Sequence, residues 1–251
     1  MKPTVVVKIG GSVITDKNTG SLKVNTSELR RIIDELSSTE LNLVLVHGGG
    51  TFGHTLAKKY SVHKGKQYSS THAASEVMVS MMHLNSIIMD TMVEKGLSPL
   101  SFPPHAILSD QGRFIAHQKK LLNLALNQGF IPVIFGDVIL DQKTGFKILS
   151  GDFLAAELAI ILKAKRLVFG TNVDGVFPNL DDNRILREVN RYTKFSSVTT
   201  DVTGGIEYKV KQGLRAARVG IETLIVNASK PGNMKAAISG EKVLCTKIVW
   251  E

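Results

Sequence analysis

The segment Val5-Val6-Val7-Lys8-Ile9, closed at once by Gly10-Gly11, is the tightest constraint on what this chain can fold into. A β-branched run this short reads as a strand buried on both faces, and the glycine pair ends it abruptly. A second run, Leu43-Val44-Leu45-Val46, is closed by His47 and three glycines. Between the two, Leu29, Ile32, Ile33 and Leu36 recur at helical spacing behind Asn25 and Thr26, either of which can serve as N-cap. The chain therefore opens β-α-β.

The same alternation continues. Apolar runs at Ile131 to Phe135, Arg166 to Phe169 and Thr223 to Val226 accompany helical segments at Asp152 to Leu162 and Lys209 to Val219. Strands alternating with helices predict a mainly parallel sheet covered on both faces, an α/β/α sandwich of three layers. The segment Ser75 to Lys95 is apolar and rich in methionine, with Met78, Met81, Met82, Met89 and Met92, and reads as a core helix one face of which can meet a ligand. With 251 residues the chain is expected to form one domain over 1–251.

Composition narrows the partners. Lys and Arg exceed Asp and Glu by 31 to 22, a charge of +9 that favours anions. The basic residues are scattered, without an aromatic RNA-binding motif, a zinc-finger spacing or a long basic tract, so phosphate-bearing small molecules are expected rather than nucleic acid. One cysteine, Cys245, allows neither an internal disulfide nor a multi-cysteine metal site, and the histidines are sparse and irregular, so no protein-built metal centre is expected. The N-terminal apolar run is too short for a signal peptide and no stretch reaches membrane-spanning length, so a cytoplasmic protein with no membrane partner is expected.

In an open parallel sheet, ligands collect beyond the carboxyl ends of the strands, which directs attention to three glycine loops. Lys8-Ile9-Gly10-Gly11-Ser12 has Lys17 close behind it. His47-Gly48-Gly49-Gly50-Thr51-Phe52-Gly53-His54 follows the second strand, and Asp201-Val202-Thr203-Gly204-Gly205-Ile206 precedes Lys209, where a helix is expected to begin. Glycines bring main-chain N–H groups close to phosphate oxygens, and lysines add mobile positive charge. Gly48, Gly50 and Gly53 also satisfy the dinucleotide pattern G-x-G-x-x-G, but an acidic ribose partner at the end of a following strand is missing, which disfavours an oxidoreductase. The Walker-A pattern is absent, which disfavours a P-loop enzyme.

A lysine and Gly-Gly-Ser at the first strand, a Gly-Gly-Gly loop after the second, Asp174-Gly175, and a late Thr-Gly-Gly-x-x-x-Lys together resemble the amino-acid-kinase superfamily over nearly the whole chain. Within it, His47 to His54, Phe135-Gly136-Asp137-Val138, Ser150-Gly151-Asp152 and Asp201 to Gly205 resemble the isopentenyl phosphate kinase subfamily. Two departures are Thr51, where that subfamily more often has serine, and Asn172, where the superfamily often has aspartate.

The resemblance implies transfer of a phosphoryl group from ATP, with Mg²⁺, to isopentenyl phosphate in the alternative mevalonate route, by a homodimer. It implies Lys8 on the transferring phosphate, Lys17 at the transition state, His54 on the acceptor and Asp152 orienting the lysines or approaching the metal. ATP would meet Lys8, Gly10, Gly11, Ser12, Gly50, Asp174, Gly175, Gly204, Gly205 and Lys209, although Asp174-Gly175 also reads as a plain turn. The acceptor would meet Gly48, Gly49, Gly50, His54, Gly136, Asp137 and Gly151, with Met82 on its apolar tail. The N-terminal half would hold the acceptor and the C-terminal half the nucleotide. A phosphonate kinase of the fosfomycin type, or a nucleotide-binding regulator without turnover, are the alternative readings.

Overall fold

The computed structural model describes residues 2–16, 22–108, 118–179, 184–195 and 205–251. Lys17 and Gly204, both expected at the site, lie outside them. In chain order the first half comprises β1 (Thr4–Ile9), α1 (Gly11–Ile14), α2 (Thr26–Ser37), β2 (Asn42–His47), α3 (Gly50–Lys59), α4 (Thr71–Glu94), β3 (Pro99–Ser101), α5 (Pro104–Ile107) and α6 (Gln118–Asn127). The second half comprises β4 (Ile131–Phe135), β5 (Asp137–Asp141), β6 (Gly145–Leu149), α7 (Gly151–Ile161), β7 (Arg166–Thr171), β8 (Glu188–Val189), α8 (Gly205–Ala217), β9 (Glu222–Asn227), α9 (Asn233–Ser239) and β10 (Cys245–Ile248).

One sheet of eight strands runs in the order β3-β4-β2-β1-β7-β9-β10-β8, and only the β9–β10 pair is antiparallel. β1 lies between β2 and β7, so its ladder is complete on both sides. Alternate residues of this strand enter opposite cores. Val5, Val7 and Ile9 pack with α2, α3, α4 and α9, while Val6 packs with α6, α7 and α8. A central strand buried on both faces cannot show polar alternation, which explains the unbroken apolar runs. The predicted three-layer α/β/α sandwich is the observed fold.

Local chemistry sets the helix ends. Asn25, one of the two expected caps, is the one used: its side chain accepts from the Glu28 N–H, and Leu29, Ile32, Ile33 and Leu36 of α2 are buried against the sheet. Four such side chains contribute roughly 1.5–3 kcal/mol each on burial. Helix α8 begins at Gly205, so Lys209 sits a turn inside it rather than at its start, and is buried there. The antiparallel hairpin β5–β6, not anticipated from sequence, folds back so that Val138 and Phe146 join the core against α4. Its short strands and the Asp141 to Gly145 turn lack the long periodicity that a parallel-sheet reading relies on. No helix among the described residues is long and apolar enough to cross a membrane.

Candidate active site

A cavity of about 560 Å³ opens at the carboxyl ends of β1, β2, β4 and β7. Four helices start at its wall. Gly11 and Ser12 open α1; Gly50, Thr51 and His54 belong to α3; Gly151 and Asp152 open α7; Gly205, Ile206 and Lys209 belong to α8. The longer three, α3, α7 and α8, turn the positive ends of their dipoles to the same space, which is an environment for anions.

Asp152 organises the floor. Its Oδ1 lies 2.9 Å from Lys8 Nζ and 2.7 Å from Lys209 Nζ, and all three side chains are buried. Ser150 caps α7, its hydroxyl accepting from the Asp152 N–H at 3.1 Å, so the carboxylate is held in the first turn where the dipole favours it. Burial alone would raise the Asp152 pKa; the charges of Lys209 and Lys8 outweigh it and hold the group down to about 2. Lys209 is pulled down to about 8, by burial first and by the neighbouring Lys8, with Asp152 opposing. The two directions agree physically, since one carboxylate can neutralise only one of two ammonium groups. The surplus positive charge, largely buried at the cavity wall, suits an anion.

The two glycine loops are packed on each other. A Cβ at Gly11 would stand 2.0 Å from the Gly50 nitrogen, and Gly50 itself has φ +48. Neither position tolerates a side chain. Thr15 ties the pair together, its hydroxyl donating to Gly11 O at 2.8 Å and accepting from the Thr51 N–H at 3.1 Å. Sequence reading passed over Thr15, because its role is visible only once the loops meet.

Beyond the lysines the cavity turns apolar. Ala57, Val77, Met81 and Ile148 form part of its wall; Ala57 follows His54 by one turn of α3, and Ile148 pairs with Val138 beside Asp137. Met82, expected here, is instead half exposed on the outer face of α4, and its neighbour Met81 is buried against the cavity. Adjacent residues on a helix point about 100° apart, so only one of them can face inward.

Asp137 is buried, its Oδ1 accepting from the Val138 N–H while Oδ2 has no hydrogen-bond partner among the described residues. Burial raises its pKa, against the opposing influence of His105 and that N–H. His105 Nδ1 stands 3.6 Å away, a charge contact rather than a hydrogen bond, and Asp137 in turn raises the imidazole's pKa. Sequence reading takes His105 for a structural or surface residue, and no local signal links it to Asp137 on another element.

The remaining expectations divide. Lys8, Gly10, Gly11, Ser12, Gly48, Gly49, Gly50, His54, Gly136, Asp137, Gly151, Asp152, Gly205 and Lys209 all line the cavity. Asp174 and Gly175 do not; Thr171, Asn172 and Val173 line it at that point. Asp174 turns away to Asn227 Nδ2 at 2.8 Å and to Lys230 at 2.7 Å, which lowers its pKa, Lys230 being the main cause. Gly175 passes so close to β10 that an added Cβ would be 2.4 Å from Thr246 Oγ1.

A three-layer α/β fold, glycine loops at strand ends and two buried lysines on one aspartate define a phosphate-binding α/β protein without a P-loop. The chain belongs to the amino acid kinase family, whose model matches residues 3–227. It is 32% identical to isopentenyl phosphate kinase of Methanothermobacter thermautotrophicus, over 97% of this chain and 98% of the relative. It is 37% identical to isopentenyl phosphate kinase of Thermoplasma acidophilum, over 82% of this chain and 83% of the relative. An X-ray structure of isopentenyl phosphate kinase superposes with a TM-score of 0.85 at 30% identity, covering 98% of this chain and all of the other.

Proposed function

We propose that this protein transfers the γ-phosphoryl group of ATP to isopentenyl phosphate, forming isopentenyl diphosphate and ADP in the alternative mevalonate route. The observation that carries the reading is the apolar part of the cavity wall, formed by Ala57, Val77, Met81 and Ile148, with Ala57 one turn of α3 beyond His54. A phosphate with a short hydrocarbon tail matches both halves of that surface, whereas a compact phosphonate would leave the apolar half uncovered. The similarity to two isopentenyl phosphate kinases over most of the chain supports the same substrate.

An ionised oxygen of the acceptor phosphate attacks the γ-phosphorus as the bond to the β,γ-bridging oxygen breaks, and ADP leaves with that electron pair. No covalent enzyme intermediate is formed. Lys8 and Lys209 neutralise the charge that spreads over the moving group, and Asp152 holds both ammonium groups in place. His54 meets the acceptor phosphate as a hydrogen-bond donor, and Lys17, outside the described residues, is assigned to the transition state on family resemblance. The N-terminal half of this single domain holds the acceptor and the C-terminal half the nucleotide, through Gly205, Lys209 and the segment Thr171 to Val173, while Gly10 and Ser12 of the first loop meet the ATP phosphates. Mg²⁺ offsets phosphate charge when it accompanies ATP. Among the described residues no group of three or more His, Cys, Asp or Glu could hold a metal, and Asp152 is committed to two lysines. This donor set fits an ion that takes most of its oxygens from the nucleotide. A homodimer in the cytoplasm completes the reading, on family resemblance.

The test is a steady-state assay of ADP release with ATP, Mg²⁺ and either isopentenyl phosphate or fosfomycin. Turnover is expected with the first. Turnover of fosfomycin alone would overturn the substrate, and turnover of neither would point to a regulator.

A further inference from the structure

His47 ends β2 fully buried, stacked on Phe135 with ring centroids 5.1 Å apart. Its Nδ1 lies 3.2 Å from the carbonyl oxygen of Gly48, and its Nε2 lies 3.2 Å from the amide oxygen Oδ1 of Asn85 on α4. The far end of that amide, Nδ2, is 3.0 Å from Ser101 Oγ on the edge strand β3. A chain of side chains thus runs from the sheet edge, through α4, to the first peptide of the glycine loop.

Burial above all pulls the His47 pKa down to about 4, so at neutral pH the ring carries one proton for two partners. With that proton on Nε2, the Nδ1 lone pair would face the Gly48 oxygen, an unfavourable contact in a buried place. A half-turn of the Asn85 amide removes the conflict. Its N–H then donates to Nε2, its oxygen accepts from the Ser101 hydroxyl, and Nδ1–H donates to Gly48 O. What is lost is one approach of the amide to the Met89 sulfur, a weak acceptor.

In a trans peptide the C=O and the next N–H point in opposite directions, and none of the described peptides is cis. Holding the Gly48 oxygen toward His47 therefore turns the Gly49 N–H the other way, and both glycines line the cavity. The Gly49 N–H has no partner among the described residues. We propose that His47, set in its Nδ1–H form by Asn85 and Ser101, is a positioning residue that aims the Gly49 N–H at the acceptor phosphate. The identity of that acceptor rests on the function proposed above; the tautomer does not.

Nitrogen-15 NMR of histidine-labelled protein, with steady-state kinetics on isopentenyl phosphate and ATP, tests both halves. Wild-type His47 should carry its proton on Nδ1; a proton on Nε2 overturns the relay whatever the substrate proves to be. Asn85→Leu and Ser101→Ala should shift protons toward Nε2 and raise the acceptor KM, by about tenfold for Asn85→Leu, while the ATP KM stays within about twofold. Ser101→Thr, which keeps the hydroxyl, should restore both readouts. Unchanged acceptor KM in folded Asn85→Leu protein, or equal loss of ATP and acceptor binding, overturns the positioning role. Failure of the wild type to use isopentenyl phosphate at all would sink the substrate, while the NMR signal still decides the relay.

Discussion

Lys8 at the end of the first strand and Asp152 in the first turn of α7 meet at 2.9 Å, both buried, although more than half the chain separates them. The contact joins the expected phosphate lysine to a carboxylate that also holds Lys209 at 2.7 Å. Removing either partner leaves charge uncompensated at a largely buried place.

Asp152→Asn keeps the shape and discards the charge. Two ammonium groups then share no counter-ion, and the expected cost is about 3–5 kcal/mol of stability, with kcat reduced at least about 100-fold. Denaturant unfolding and steady-state kinetics measure the two. The wild-type folded pKa of about 2 lies below the ordinary 3.8, so this contribution is complete above the ordinary value and fades as pH falls toward 2. The variant should lack that acid limb; an unchanged limb would show that Asp152 does not supply it.

Lys209 predicts the alkaline side. In the empty site its pKa sits near 8, and bound ATP phosphates favour the charged form, so ATP affinity should weaken as pH rises through 8. Calorimetric titration on either side of that pH reads the slope directly. Lys209→Met should bind ATP more weakly throughout and lose the inflection. If the inflection persists in Lys209→Met, another group titrates there.

Met81 and Met82 offer a contrast between neighbours. Met81→Ala widens the cavity and should improve use of longer prenyl phosphates relative to isopentenyl phosphate, at a stability cost of about 2–5 kcal/mol. Met82→Ala on the outer face should leave the chain-length preference alone and shift stability by about 0.5 kcal/mol or less. Equal effects on preference would mean that neither side chain meets the tail.

His54 lines the cavity between the glycine loop and its apolar end. His54→Ala should cut transfer to isopentenyl phosphate severely with ATP affinity nearly intact. His54→Asn keeps an N–H donor and should retain more activity than Ala, because the acceptor is already ionised and needs no base. An Asn variant as inactive as Ala would favour a cationic or proton-transfer role.

Gly11→Ala would place a methyl group 2.0 Å from the Gly50 nitrogen, where backbone rather than a flexible side chain must yield. Overpacking of this kind costs about 1–3 kcal/mol or more, and the two phosphate loops should separate. A lowered melting temperature together with loss of both substrates' binding is expected. Normal ATP binding in that variant would show that the loops need not touch.

Much of this protein is legible in its sequence, because strand burial, helix periodicity and glycine loops are local properties. Val5 to Ile9, Leu43 to Val46 and Ile131 to Phe135 read as strands, and Leu29 to Leu36 as a helix face, since side-chain spacing of 2 or 3.6 residues is written in consecutive positions. The glycine loops read as phosphate-facing for the same reason. The hairpin β5–β6 and the two-residue strand β8 escaped, their segments being too short to show a period. Tertiary structure alone decided the rest. That one Asp152 oxygen meets both Lys8 and Lys209 bears out a role the family resemblance implied, but that His105 stands beside Asp137, that Asp174 turns to Lys230, and that Met81 rather than Met82 faces the cavity all depend on how elements cross in space. Charge pairing acts over a few ångströms between segments far apart in sequence, and no local pattern along the chain records which segments those will be.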